Sequence, residues 1–509
     1  MSQNKQIKKL YKDHIFKIPE IKEITNKIDQ TEVFFITYPD SFYIKKEKPL
    51  KTLLKFSEKY LKDFTSIHIL PFFPSTSDRG FAIKDFTRVD KKFGNWKQIN
   101  KLSKNHKLMF DGVINHTSSK HRWFQKALQG NEKFKQYYNS YDSLIDTSKV
   151  FRPRSKPLLT KFNKYYWTTF SKDQIDLNFN NPEVFQEIIN IFKLYIKRGA
   201  KYIRLDAIAY LFDDPTGPSI DLYKNHIFIK EIKKIMPKDL KFIVEVNLEE
   251  EHIDRYRQNL TYNFPLSPLV YYSFLKKDPT ILIKFLKKDK SNNFNFLASH
   301  DGIGLIPAKN YLNNSKIAEL VEDVEKKGFV VSSGINPKTK KKEPYELNIN
   351  YFDAMDRDER KMLCAHSILL ATKGIPAIYF HSLLGSYGEQ KFSEKYPREL
   401  NRKNIDFKKL ELELSKNTIR KKIYEGILKM IKIKSKFNAF HPNSSQEVRK
   451  KNGLLMIKRV SKYKNKKNII CLHNFSSKKV KIKNIFDLIT ETNKNYISPF
   501  GYVWFEELT

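Results

Sequence analysis

The sequence predicts an α/β protein whose main unit is a (β/α)8 barrel. Eight short apolar runs alternate with amphipathic segments over the first 440 residues, and eight strands that alternate with helices indicate a parallel sheet closed into a barrel. Two intervals between these runs are too long for ordinary loops. After about residue 440 the pattern changes to short β-rich runs with polar turns, which predicts a C-terminal antiparallel β domain.

Each predicted strand is a run of five to eight residues, mostly apolar, as expected of a buried strand. The segments between them, such as 184–197 and 226–235, have the apolar spacing of amphipathic helices. The predicted strands are 33–38, 66–71, 108–115, 202–206, 242–246, 259–263, 294–299 and 375–380.

The long intervals place insertions in the barrel after the third and the seventh strand. About 85 residues separate the third and fourth strands, which predicts a small inserted domain. The excursion after the seventh strand includes a Lys-rich stretch, 334–344, that we expect to be a surface loop. The predicted limits are 1–115 and 186–440 for the barrel, 303–358 for the region inserted after strand seven, 116–185 for the inserted domain and 441–509 for the β domain.

The chain is strongly basic, with 95 Lys and Arg against 56 Asp and Glu and a net charge of +39. The lysines are spread along the whole chain and accompany Ile, Asn, Phe and Tyr, which is typical of compositional bias on a solvated surface. We therefore expect no nucleic-acid partner, only a modest attraction for small anions.

Other sequence features favour a cytoplasmic location. No apolar run reaches the length of a membrane span, and residues 1–20 contain no continuous apolar core of a signal peptide. The two cysteines, Cys364 and Cys471, lie far apart in apolar runs and are predicted to be core residues in a reducing compartment. We expect no contact with a membrane.

Polar side chains occur where the predicted strands end, which is where (β/α)8 barrels carry their chemistry. His116 follows strand three, Arg204 and Asp206 end strand four, Glu245 ends strand five, and the pair 300–301 (His-Asp) follows strand seven. Each alone has a structural explanation, such as an ion pair, a helix cap or a turn. Together, at successive strand ends, they favour a catalytic site. A metal site is disfavoured, because no tight His/Cys spacing is present.

Asp206 and Glu245 have the residue types that covalent attack on a sugar requires. Arg204 lies two residues from Asp206, so both point to one face of the strand, and we expect the arginine to keep Asp206 ionised. Glu245 follows an apolar strand, where burial is expected to raise its pKa. One ionised and one protonated carboxyl group fit a retaining glycosidic mechanism.

Four segments resemble, in order, the four signature regions of the α-amylase superfamily, glycoside hydrolase family 13. They are 111–116 (DGVINH), 204–206 (RLD), Glu245 and 300–301 (HD). The resemblance implies that Asp206 is the nucleophile, Glu245 the general acid/base and Asp301 the carboxylate that stabilises the transition state. It also implies that Arg204, His116 and His300 contact the sugar, and that neither a metal nor another cofactor is needed.

A narrower resemblance is to the sucrose phosphorylase group. It is carried by 70–81 (LPFFPSTSDRGF), 151–154 (FRPR), 167–177 (WTTFSKDQIDL) and 401–402 (NR). The resemblance implies a clamp on the terminal glucose formed by Asp78 and Arg402, with Arg398 as the alternative arginine. Further implied contacts are Phe170 with the reacting centre, Gln174 with the acceptor and Arg154 with phosphate.

The segment 344–354 lies where this group shapes its acceptor site, so Tyr345 and Glu346 are predicted to bind the substrate. Glu346 replaces a glutamine that simple sucrose phosphorylases tend to carry, and the segment is closer to relatives that act on sucrose 6′-phosphate or glucosylglycerate. The atypical loop 212–220 also leaves the leaving group open.

The resemblance implies a retaining α-glucoside phosphorylase that transfers glucose from sucrose or a related small α-glucoside to inorganic phosphate. The product would be α-D-glucose 1-phosphate. Glucosylglycerate and sucrose 6′-phosphate are alternative substrates, and an α-glucosidase or transglucosidase is a further alternative. A basic binding protein on an inactive scaffold is the alternative from another class, and the three intact carboxylates argue against it. The sequence gives no indication of the oligomeric state.

Overall fold

The structure is a computed structural model that describes residues 23–151, 157–288, 290–335, 341–388, 397–462 and 467–507, together with 9, 11 and 21. Eight parallel strands close into a barrel in which each strand pairs with the next along the chain and the last pairs with the first. The predicted barrel is confirmed. Its strands are β1 (Phe34–Thr37), β2 (Ser66–Ile69), β3 (Lys107–Gly112), β4 (Ala200–Leu205), β5 (Lys241–Val244), β6 (Leu260–Tyr262), β7 (Asn293–Phe296) and β8 (Ile375–Tyr379).

Helices follow the barrel strands and pack apolar side chains against them. The helix Pro182–Lys197 is capped by Asn181, whose side chain accepts a hydrogen bond from the backbone N–H of Glu183, and it buries Val184, Ile188 and Phe192. Such packing holds β4 in place. The other helices of the barrel are Pro49–Tyr60, Trp96–Asn105, Tyr223–Ile235, Glu250–Arg255, Leu266–Lys276, Thr280–Leu286, Glu359–Ala371, Phe380–Leu383, Phe407–Ser415 and Ile419–Lys436.

Between β3 and the helix Pro182–Lys197, the described residues form two small antiparallel sheets and two short helices. One sheet pairs His116–Ser118 with Gln174–Asp176, and the other contains Ser140–Tyr141, Leu159–Lys161 and Tyr165–Trp167. The helices are Arg122–Leu128 and Glu132–Lys135. Because the first sheet begins directly after β3, it brings His116 and Gln174 to the same end of the barrel.

The excursion after β7 contains the helix Asn314–Lys326 and three antiparallel strands, Ile303–Gly304, Val330–Ile335 and Lys342–Asn348. The expectation of a loop at 334–344 is therefore wrong at both of its ends, which belong to paired strands, while 336–340 lie outside the described residues. Antiparallel strands tolerate lysines because one face can remain in water. The short helix Tyr351–Ala354 follows.

The C-terminal antiparallel domain is confirmed. The strands Ser445–Lys451, Leu454–Val460, Ile469–His473 and Tyr502–Glu506 form one sheet, and Val480–Asp487 pairs with Thr492–Ile497. A further parallel pair joins Phe42–Tyr43 to Ile405–Asp406. The numerical limits of the domains stay predictions. Among the helices in the described ranges, none combines the length and apolar character needed to cross a lipid bilayer.

Candidate active site

A cavity of about 690 Å³ opens where the barrel strands end. Its walls come from the strand ends and from both insertions. The side chains that line it include these sequence-predicted site residues: Asp78, His116, Phe170, Gln174, Arg204, Asp206, Glu245, His300, Asp301, Tyr345 and Arg402. Arg154 lies outside the described residues. Glu346 is 1% exposed and lies behind the wall, where both of its carboxylate oxygens bind Arg398.

Asp206 follows β4 and is held by a buried chain of charged groups. The Nη1 nitrogen of Arg204 donates hydrogen bonds of 2.6 Å to Oδ1 of Asp206 and to Oδ1 of Asp111. The other oxygen of Asp111 lies 2.8 Å from Nε2 of His68. Arg204 and Asp111 are partners in the register of β4 and β3, so the sheet itself sets this alignment. His68 and Asp111 therefore hold the guanidinium that contacts Asp206.

Glu245 follows β5, the neighbouring strand, and lies beside Asp206. Its Oε2 accepts a hydrogen bond of 2.9 Å from the backbone N–H of Ala207, the residue after Asp206. Ala207 has φ +49°, a left-handed conformation that is unfavourable for alanine. The sharp turn after β4 therefore fixes the position of Glu245 relative to Asp206, because Glu245 binds the backbone at that turn.

The ionisation of Asp206 differs from the sequence-based expectation. The pKa of Asp206 is raised to about 7, mainly by burial; Arg204 opposes this rise, and Glu245 and Asp111 add to it. Burial also raises the pKa of Glu245, in the expected direction. Two close carboxyl groups titrate as a pair, and Asp206 and Glu245 lie close enough for one to affect the ionisation of the other. Because Arg204 binds Asp206 directly, it favours the arrangement with the proton on Glu245.

Asp301 carries a firmly ionised carboxylate. Burial would raise its pKa, but Arg398 above all, together with His300 and Arg402, outweighs burial and holds the pKa well below its usual range. Arg398 Nη1 lies 2.7 Å from Asp301 Oδ1, and Arg402 Nη2 lies 3.4 Å from the same oxygen. The burial of His300 lowers its pKa to about 3, so its imidazole is neutral.

Both candidate arginines lie on the turn Pro397–Arg402 but differ in their contacts. Arg402 is 3% exposed at its side chain, and its Nη1 lies 3.6 Å from Asp78 Oδ1. Its Nε donates to the carbonyl oxygen of His300 at 3.0 Å. Arg398 is 27% exposed and binds Glu346 instead. This geometry favours Arg402 as the partner of Asp78.

Asp78 is also connected to the inserted segment. Gln174 Nε2 donates to Asp78 Oδ2 at 3.4 Å and lies 3.0 Å from Nε2 of His116. The ring of Phe170 lies 5.4 Å from the ring of His116. The inner end of the cavity is thus a connected set of polar side chains, which we define as Asp78, His116, Gln174, Asp301 and Arg402.

The outer end of the cavity consists of more exposed side chains, which we define as Lys149, His252, Arg255, Lys309 and Tyr345. Two of them are held by one buried carboxylate on the loop after β4. Asp221 Oδ2 lies 2.7 Å from His252 Nδ1 and accepts a hydrogen bond of 3.0 Å from Arg255 Nη1. The outer-end residues lie on the two insertions and on the helix Glu250–Arg255 rather than at strand ends.

A pair of carboxyl groups joins the inserted segment to the loop after β4. Asp176 is buried and accepts hydrogen bonds from the backbone N–H and the hydroxyl group of Thr169. Asp213 accepts a hydrogen bond of 2.6 Å from Asn139 Nδ2. Burial raises the pKa of Asp176 to about 7. Burial, with the added effect of Asp176, raises the pKa of Asp213 well above its usual range.

Sequence reasoning did not include His68, Asp111 or Tyr262 among the site residues. The guanidinium of Arg204 binds Asp111 and lies 5.3 Å from the centre of the Tyr262 ring, and His68 in turn holds Asp111. The signal for His68 was present, since it is the one titratable residue inside the apolar run 66–71. A titratable side chain on a barrel strand between isoleucines requires a polar partner inside the barrel.

Comparison with known proteins identifies the family. The family model described as "Alpha amylase, catalytic domain" matches residues 37–292. The glucosylglycerate phosphorylase of Spirochaeta thermophila is 38% identical over 450 residues, which cover 83% of this chain and 76% of that protein. The glucosylglycerate phosphorylase of Escherichia coli is 37% identical over 448 residues, covering 82% and 80%.

A solved structure is similar over nearly the whole chain. The crystal structure of sucrose 6F-phosphate phosphorylase from Thermoanaerobacter thermosaccharolyticum matches with a TM-score of 0.79 and 26% sequence identity. The match covers 95% of this chain and 99% of that one. The chain therefore belongs to the α-amylase superfamily, glycoside hydrolase family 13, in the group of phosphorylases of the sucrose phosphorylase type.

Proposed function

We propose that this protein is a retaining glucosylglycerate phosphorylase that acts through Asp206, Glu245 and Asp301. The observation that carries the proposal is the pair Asp206 and Glu245, which face one cavity, with Arg204 bound to Asp206 and Glu245 bound to the backbone of the next residue, Ala207. The identity of 37–38% with two glucosylglycerate phosphorylases supports the choice of leaving group.

The first step forms a covalent glucosyl-enzyme. The carboxylate of Asp206 attacks the anomeric carbon, and the bond from that carbon to the leaving oxygen breaks. The proton of Glu245 goes to the leaving hydroxyl group of glycerate. The ionised carboxylate of Asp301 stabilises positive charge on the sugar ring in the transition state.

The second step returns the enzyme to its starting state. An oxygen of inorganic phosphate attacks the same carbon, and the bond to Asp206 breaks. The proton of the attacking phosphate oxygen goes to Glu245. The product is α-D-glucose 1-phosphate, and two inversions give net retention. Because the glucosyl-enzyme conserves a reactive glycosyl bond, the reaction is reversible.

The two ends of the cavity suit the two parts of such a substrate. The inner end, with Asp78 and Arg402 in contact, has the paired polar groups expected of a fixed glucose site. The outer end is more exposed and carries basic side chains, whose combined positive charge favours the approach of an anionic leaving group and of phosphate. Arg154 stays a prediction for phosphate contact. The buried and unpaired thiols of Cys364 and Cys471 support the predicted cytoplasmic location.

The test is incubation of the protein with glucosylglycerate, sucrose 6′-phosphate and sucrose, each with and without phosphate, and measurement of glucose 1-phosphate and free glucose. We expect glucose 1-phosphate mainly from glucosylglycerate. Faster phosphorolysis of sucrose 6′-phosphate or sucrose would reassign the leaving group. Free glucose formed at one rate with or without phosphate would show a hydrolase and contradict the proposal.

A further inference from the structure

Arg398 lies between the strand Lys342–Asn348 and the carboxylate of Asp301. Its Nε donates to Glu346 Oε1 at 2.9 Å and its Nη2 donates to Glu346 Oε2 at 2.7 Å, which is a bidentate pair. Its Nη1 lies 2.7 Å from Asp301 Oδ1. Glu346 belongs to the strand Lys342–Asn348, so one guanidinium joins the region after β7 to the turn after β8.

The guanidinium retains capacity for a ligand. It carries five N–H bonds; among the described residues two of them donate to Glu346, and Nη1 forms an ion pair with Asp301. Further N–H bonds remain on Nη1 and Nη2, and the side chain lines the cavity with 27% of its surface exposed. Glu346 is 2% exposed at its side chain, so it can fix the plane of the guanidinium without entering the cavity.

Two other cations near the reaction centre fit an anionic acceptor less well. Arg402 is 3% exposed and directs Nε and Nη1 to the His300 carbonyl and to Asp78, at the inner end. Lys309 Nζ lies 2.5 Å from Glu343 Oε2, so a carboxylate of the wall already compensates it.

The cations farther out are screened or already held. Arg255 and His252 both bind Asp221, and Arg255 is 55% exposed at its side chain. Lys149 is exposed as well, and water and salt screen such charges. Arg398 is thus the partly exposed cation that directly contacts a predicted catalytic carboxylate.

We propose that Arg398, positioned by Glu346, binds the anionic group of the acceptor and so selects small anionic acceptors over neutral ones. This inference rests on the proposed function, in which the carboxylate of glycerate and phosphate occupy the acceptor end in turn. Both anions fit the planar fork of an arginine. Glu346 is the positioning residue, and it explains why a carboxylate is useful where a neutral glutamine would hold Arg398 less firmly.

The experiment uses α-D-glucosyl fluoride as the glucose source, because the glucosyl-enzyme can then react either with phosphate or with water. For Arg398→Gln we expect kcat/KM for phosphate to fall about 100 times more than the rate of hydrolysis, since a desolvated charge pair is lost only in the first reaction. Arg398→Lys keeps the charge without the fork and should show an intermediate loss. Glu346→Gln should raise KM for phosphate about tenfold, with a smaller change in kcat.

Lys309→Gln is the matched control, a cation of the same cavity that already has a partner, and its ratio of the two rates should change less than about threefold. Thermal unfolding checks that each variant is folded, and Arg398→Lys and Glu346→Gln carry the test if Arg398→Gln is not. Equal losses in both reactions would assign Arg398 to glucose binding through Asp301 and overturn the inference. An unchanged KM for phosphate would overturn it too. Wild-type protein that forms no glucose 1-phosphate would instead contradict the proposed function.

Discussion

The two ends of the cavity are built from different parts of the chain. The inner end comes from residues close to strand ends, with Gln174 added from the inserted segment, and its polar groups contact one another, as Arg402 does with Asp78 and Asp301. The outer end comes from the inserted segment, the helix Glu250–Arg255 after β5 and the excursion after β7. A barrel fixes strand ends through continuous hydrogen bonding, whereas loops accept changes in sequence and length.

This difference teaches how one family can retain its chemistry and change its substrate. Altering the inner end should affect every substrate alike, because all of them present glucose there. Altering the outer end should affect substrates unequally, because the leaving group differs. The following predictions test that separation.

The largest effect is expected from Asp206→Asn. Loss of the nucleophile abolishes the covalent route, so phosphorolysis and hydrolysis of α-D-glucosyl fluoride should both fall by at least about 10⁴-fold. Steady-state rates with both reactions measure this. Asp213→Asn, the same substitution outside the cavity lining, should retain most of the activity. Retained activity in Asp206→Asn would show that another group attacks the sugar.

The second prediction contrasts two arginines on one turn. Arg402→Lys should lower kcat/KM about 100-fold for glucosylglycerate and for α-D-glucosyl fluoride hydrolysis alike, because its buried contact with Asp78 serves the glucose unit. Arg398→Lys should reduce reactions with phosphate selectively. The comparison fails if the two variants give the same pattern across the substrates.

The third prediction concerns the chain of groups below the nucleophile. His68→Ala should loosen Asp111 and hence Arg204, whose contact lowers the pKa of Asp206. The pKa of Asp206 would rise, so less of it would be ionised in acid. Hydrolysis of α-D-glucosyl fluoride should therefore fall about tenfold at pH 6 and less at pH 8, with the acid limb moved to higher pH.

His68→Gln is the control for this change, because its amide nitrogen can replace Nε2 as a partner of Asp111. It should restore most of the wild-type pH profile. An equal loss at both pH values in His68→Ala, with no recovery in His68→Gln, would indicate damage to packing and not to the alignment of Arg204.

The smallest effect is expected outside the cavity, at the pair Asp176 and Asp213. Both pKa values are raised in the folded state, so the stability that the pair contributes is complete in acid and is lost as the pH rises toward and beyond 7. Asp213→Asn removes one of these ionisations and should stabilise the fold by about 1 kcal/mol at pH 8, with little change at pH 5.

Thermal unfolding at the two pH values, compared with the wild type, measures this effect. A larger gain in stability at pH 5 than at pH 8 would show that the pKa of Asp213 is not raised in the folded state. In Asp213→Asn the ratio of phosphorolysis to hydrolysis should stay as in the wild type, so this variant is the reference for the first three predictions.

The carboxylates at the strand ends were predictable from the sequence, and the long-range contacts around them were not. Asp206 and Glu245 follow directly on apolar runs, so strand prediction alone places them at one end of the barrel. The bond between Arg398 and Glu346 joins residues 52 positions apart, one on the excursion after β7 and the other on the turn after β8, and no local pattern encodes such a contact. The raised pKa of Asp206 depends on the depth of burial, which only the packed structure supplies.

Arg79 connects the segment that carries Asp78 to the turn Pro397–Arg402. Its Nη2 donates to the carbonyl oxygen of Arg402 at 3.0 Å, and its Nε donates to Glu399. Arg79 directly follows Asp78 in the sequence. Asp78 and Arg402, whose side chains contact each other at the inner end, are therefore also joined through Arg79. A displacement of Asp78 would therefore displace Arg402 as well. A change of sugar preference at this end would require coordinated substitutions in two distant segments, whereas a change of leaving group could arise from substitutions in a single loop.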